Sequence, residues 1–170
     1  MLRLAVYWYI QAISRSGGLE GALVLGQVAL ELLGSACCVE LNPIVSAGGF
    51  ARLPASDRIR LLLSFAKIPL RLPVELKTLC DVACANDWAD GPEAIVAIRN
   101  AVVHRTATKI KLLSDVSGRA RYDAWLLTIH YIELCILHLI RYNGPVANRI
   151  SAQMLGQVES VPWMRGDVAS

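Results

Sequence analysis

Apolar residues recur along most of this chain at the three- and four-residue spacing of helices, and no stretch alternates with the period of two that marks strands. Residues 3 to 15 predict a helix rich in aromatics (Tyr7, Trp8, Tyr9), ended by Ser16-Gly17-Gly18. Leu23, Gln27, Leu30, Glu31 and Gly34 place a long second helix over 19 to 38. Asn42-Pro43 to Pro54 reads as a loop, and Ser56-Asp57 as the N-cap of a helix over 56 to 67. Pro69 and Pro73 break the chain; Pro73 suits the first turn of a short helix over 73 to 86. Asp90-Gly91-Pro92-Glu93 carries a turn, a first-turn proline and an acid that suits the helix dipole, and opens a helix to about residue 105. After a turn at Ser114 to Gly118, the last long helix spans 119 to 142 and ends at Asn143-Gly144-Pro145. The pattern predicts an all-α bundle of about five helices over 1 to 145. An irregular tail, 146 to 170, packs on it with Trp163 as its anchor.

At 170 residues the chain suits one domain with a real core. Hydrophobic residues make up 55% and charged residues 18%, which raises the question of a membrane. The two most apolar stretches, Leu19 to Val39 and Trp125 to Ile140, are interrupted by Glu20, Gln27 and Glu31 and by His130, Glu133 and His138. Helices buried on several sides explain them without a membrane span, and the excess apolar surface points to a partner chain or a further domain. The five cysteines are odd in number, with no secretory signal, and read as reduced thiols of a cytoplasmic protein. Cys80 and Cys84 lie four apart and read as core packing, because a metal site needs more ligands.

A net charge of +3 does not by itself mark a nucleic-acid binder. The cations nevertheless gather locally: Arg99, Arg105, Lys109 and Lys111, then Arg119 and Arg121. Within this run, Arg99-Asn100 is followed by three residues and then His104. Arginine can hold a phosphodiester through two parallel hydrogen bonds, and histidine can move protons near neutral pH. On a continuous helix Ala94, Ile98, Ala101 and Val102 form an apolar arc, while Glu93, Ala97, Asn100 and His104 share the opposite face. Arg99 would then stand about 140° from His104, so one phosphate could meet both only if the arginine wraps round or a second chain completes the site. An arginine at the edge of an apolar arc needs an acid, and Glu31 and then Glu133 are the expected partners. His130 and His138, eight apart on the last helix, read as polar positions in a helix interface, and no phosphate-binding glycine loop is present.

The segment DGPEAIVAIRNAVVHR resembles the signature of the HEPN superfamily: arginine, a polar residue that is commonly asparagine, three residues, then histidine. WYIQAISRSGGLEGALVLGQVALELL is similar to the opening helices of C-terminal HEPN domains in bacterial phage-defence proteins of the ApeA-like group. YIELCILHLIRYNGPVANR and VESVPW are similar to their closing helix and tail. The resemblance implies a HEPN-like homodimer with the two motifs facing each other. It also implies an antiviral-defence or toxin effector that cleaves RNA without metal or cofactor, through attack by the RNA 2′-OH. Arg99, Asn100 and His104 would be catalytic, with Arg105, Lys109 and Lys111 binding RNA. An upstream sensor domain or a cognate antitoxin would be the further partner. The alternative is an inactive HEPN-like module for dimerisation, regulation or RNA binding.

Overall fold

The computed structural model describes residues 1 to 15, 17 to 104, 106 to 151 and 158 to 164, with the backbone alone at Lys109 and Ile110. The described residues are mostly helical. The order is α1 (Leu2–Ser14), α2 (Gly18–Ser35), α3 (Ala47–Arg52), α4 (Ala55–Phe65), α5 (Lys77–Ala85), α6 (Gly91–Val103), α7 (Ala107–Asp115) and α8 (Gly118–Leu139). A π-helical turn, Ala36–Leu41, prolongs α2 without a break.

The helix α2 is the central element: α1, α4, α6 and α8 all pack on it. Its Leu23, Leu30 and Leu33 are fully buried and meet a core that includes Leu62 and Leu63 of α4, Ile95 and Ile98 of α6, and Leu127 and Ile132 of α8. Each such side chain contributes about 1.5–3 kcal/mol by leaving water. The α2–α8 approach is close at Gly26, where a Cβ would lie 2.6 Å from Cγ2 of Thr128. By length and composition Gly18–Leu41 could cross a membrane, which its charges had been expected to preclude; 61% of its most apolar window is buried in the domain, as expected of a core helix.

The fold departs from the sequence pattern in several places. The described residues hold eight α-helices rather than about five, and the helix expected over 73 to 86 starts only at Lys77, which leaves Pro73 ahead of it instead of in its first turn. The expected 42–54 loop holds α3, capped where the Ser46 hydroxyl accepts from the Gly49 N–H. The helix α4 starts at Ala55 after Pro54, so Ser56 and Asp57 lie in its first turn instead of capping it. Between the expected helix end near 105 and the expected turn at Ser114 to Gly118 lies α7, which takes in Ser114 and Asp115. The tail contains a two-residue antiparallel pair, Pro145–Val146 with Glu159–Ser160, then a 3₁₀ turn at Pro162–Met164. Trp163 does anchor it, donating from Nε1 to the Tyr142 carbonyl at 3.0 Å.

Candidate active site on helix α6

The helix α6 carries the motif, and its N-terminal end is fixed in several ways. Asp90 is the N-cap, its Oδ1 accepting from the Glu93 N–H at 2.9 Å, with Pro92 in the first turn. The Gly91 N–H donates to the Leu70 carbonyl at 2.9 Å. Arg60 of α4 reaches across with a fork onto Asp90, Nε to Oδ2 at 2.6 Å and Nη2 to Oδ1 at 3.0 Å. It also donates to Asp57 at 2.6 Å and to Glu93 at 3.3 Å. The bond to Asp90, opposed by burial and joined by that to Asp57, raises the Arg60 pKa.

The C-terminal end is built differently. Ile98 and Ala101 are buried and hold the helix against the core. Between them Arg99 is half-buried, and its Nη1 donates to Oδ1 of Asn100 at 3.1 Å. Its Nε is buried and has no hydrogen-bond partner among the described residues. Among the described residues no carboxylate lies within 4.0 Å of its guanidinium. Both expected partners are bonded elsewhere. Glu31 takes Arg58 at 2.6 Å and Gln27 at 2.8 Å. Glu133 takes Arg149 at 2.6 and 2.9 Å and the Tyr9 hydroxyl at 2.8 Å. The physical reason for the first is that Arg58 is held in place over the Phe50 ring by bonds to the Leu53 and Ala51 carbonyls. Arg99 and Arg58 nonetheless line the same open cavity of about 390 Å³, with Glu31, Ser35 and Phe50. Sequence reasoning missed Arg58; a cation on the apolar side of an amphipathic helix was the available signal.

His104 is not in the helix. It is the C-cap, extended at φ −102° and ψ 112°, and exposed. Its N–H still donates to the Asn100 carbonyl at 2.9 Å. The residue therefore departs from the ideal helix on which the separation of about 140° from Arg99 was reckoned. Of the three expected RNA-binding cations, Lys111 is exposed on α7; Arg105 and the Lys109 side chain lie outside the described residues.

Elsewhere, His138 stands between the rings of Phe65 and Trp163, and His130 lies beside Tyr131. Among the described residues no three His, Cys, Asp or Glu are grouped to hold a metal. All five cysteines are free, with Cys37, Cys38 and Cys135 buried. Burial, then the neighbouring Cys38, pushes Cys37 up to about 12. Cys84, expected in the core, is exposed because α5 packs through Leu79 and Ala83.

The motif thus holds a half-buried cation that lines a cavity, an amide bonded to that cation, and at the end of the helix an exposed imidazole that does not line the same cavity.

The family described as the YopA C-terminal domain matches residues 1–160. The chain is also similar to the SPbeta prophage-derived uncharacterized protein YopA of Bacillus subtilis strain 168, at 30% identity over 162 residues. That match covers 94% of this chain and 35% of the relative, so the chain spans about a third of the relative's length. No solved structure matches it.

Proposed function

The chain belongs to the YopA C-terminal domain family, and for it we propose a metal-independent endoribonuclease of HEPN type that acts as a homodimer. The observation that carries this is the state of Arg99. Its charge meets no described carboxylate, although Glu31 lines the same cavity, and it stands one turn before an exposed histidine. A half-buried cation left without a counter-charge is costly unless a ligand supplies one. In the proposed reaction Arg99 holds the phosphodiester and Asn100 fixes the guanidinium. The His104 imidazole accepts the proton of the RNA 2′-OH. The 2′ oxygen bonds to phosphorus, the bond to the 5′ oxygen breaks, and that oxygen takes a proton from the imidazolium of the second copy, while His104 keeps the proton it accepted. The products are a 2′,3′-cyclic phosphate and a 5′-OH. A role as effector in phage–host conflict, with a sensor on the same polypeptide or a cognate antitoxin, completes the proposal; the relative's prophage origin fits it.

A second reading, a non-catalytic dimerisation or RNA-binding module, is favoured by one feature. No side-chain bond to the His104 ring fixes its tautomer among the described residues.

The test is a labelled single-stranded RNA with wild-type and His104→Ala protein, both shown folded and at twice the chain mass by light scattering. Wild type should cut RNA in EDTA, leave cyclic phosphate ends and spare DNA of the same sequence. His104→Ala should be slower by about 10²- to 10⁴-fold, the size of a general acid–base contribution. Equal rates refute the assignment, and loss of cutting in EDTA refutes the mechanism. No cutting by either protein over several RNAs selects the second reading.

A further inference from the structure

A second concavity, away from the α6 motif, lies where α4, α8 and the tail end together. Phe65, His138 and Trp163 form a row of rings there, with centroids 5.5 and 5.0 Å apart and successive planes nearly perpendicular. They line an open hollow of about 650 Å³ with Arg141, Asn42 and Asn143. Trp163 is held rigidly, its Nε1 shared between the Tyr142 carbonyl and Oδ1 of Asn143 at 3.2 Å. Asn143 thereby keeps its amide NH₂ available, and Asn42, which donates to the Cys37 carbonyl, keeps its side-chain oxygen.

Two cations flank the rings. Lys67 and Arg141 follow α4 and α8 with left-handed backbones, φ 54° and 56°. In each case the next N–H reaches back to the helix, Ile68 to the Leu63 carbonyl and Tyr142 to the Leu137 carbonyl. Both side chains are exposed and make no ion pair among the described residues. The charge of Lys67 is felt at His138, where burial, and then Lys67, lowers the imidazole pKa. The helix dipoles account for cations at these ends, but not for an aromatic row opening into a polar hollow beside them.

We propose that this hollow is a second binding site for single-stranded RNA, where a base stacks on the Trp163 side of the aromatic row and Arg141 and Lys67 hold the flanking phosphates. Stacking platforms beside cations bind single strands with little sequence preference, because every base has a π face. The two asparagines offer a donor and an acceptor to the base edge. The inference takes its ligand from the ribonuclease reading, but its test does not depend on cleavage.

Binding of a fluorescein-labelled oligouridine 12-mer is measured by anisotropy, in the His104→Ala background so that the probe stays intact. Trp163→Ala should weaken it about 5- to 100-fold, the range of one base–aromatic stack. Trp163→Phe, which keeps a ring, should recover most of that loss. Arg141→Glu, at an exposed side chain without a partner, should weaken binding without altering the melting temperature. Trp163→Ala should leave any binding of duplex RNA unchanged, since paired bases cannot stack there. Oligouridine affinity unchanged in both Trp163→Ala and Arg141→Glu would overturn the proposal, as would an equal loss on duplex RNA in Trp163→Ala. Absence of cleavage by wild type would sink the ribonuclease reading and leave this one standing.

Discussion

The two ends of α6 each present an arginine to the helix and treat it in opposite ways. At the N-terminal end Arg60 meets three carboxylates, Asp57, Asp90 and Glu93. Asp90 caps the helix at the same time, and Glu93 accepts from the Ala89 N–H at 3.0 Å. Each of these charged groups is bonded within the fold. At the C-terminal end Arg99 meets one neutral amide and a cavity, although a carboxylate lines the same cavity. The difference separates an arginine bonded into the fold from one that the described carboxylates leave without a counter-charge. Composition cannot make that distinction, because both arginines lie on helices of one small domain.

The comparison breaks first at Arg60. Arg60→Ala leaves Asp90, whose side chain is only 13% exposed, without its fork. Removing one partner of a buried pair costs about 3–5 kcal/mol, and partial exposure reduces this to about 2–3 kcal/mol. Urea unfolding followed by circular dichroism measures it. Gly91→Ala strikes the same end sterically, since a Cβ there would collide with the Tyr131 hydroxyl and lie 3.2 Å from the Leu70 carbonyl oxygen. The expected loss is about 1–3 kcal/mol by overpacking, read from the same curves.

The smallest effect belongs to neither end. His138 has its pKa lowered from 6.5 by burial and then by Lys67. The unfolded chain therefore binds this proton more readily than the folded one. The stability is fully present above the unfolded value of 6.5 and falls as the pH drops from there through the lowered folded value. Thermal melts between pH 7.5 and 5 should show this decline in wild type and a weaker one in His138→Gln. An identical slope in the two proteins would assign the decline elsewhere.

Much of the helical frame was legible in the sequence. Asp90-Gly91-Pro92-Glu93 opens α6 as its turn, proline and acid dictate, and Ala94, Ile98 and Ala101 face the core as their spacing requires. The short elements were not legible. The helix α7 is polar and nine residues long, too short for a periodic stripe, and the tail's paired strands have two residues each. The motif could be found by its residue types, but its geometry could not. His104 leaves the helix one residue after Val103, and a helical wheel has no term for that. Nor does local sequence tell which arginine reaches Glu31: Arg58 takes it because the Leu53 and Ala51 carbonyls and the Phe50 ring fix its side chain, contacts between segments that spacing does not encode.

The division of α6 into a structural end and a functional end is tested most directly by RNA cleavage rates of Arg60→Ala and Arg99→Ala, compared at conditions where both are fully folded. Arg99→Ala should lose about 10²- to 10³-fold in rate, as when a donor to developing charge is removed, while its stability changes by about 1 kcal/mol or less. Arg60→Ala, though less stable, should cut at nearly the wild-type rate. Wild-type cutting by folded Arg99→Ala, or loss of cutting in folded Arg60→Ala, would contradict it.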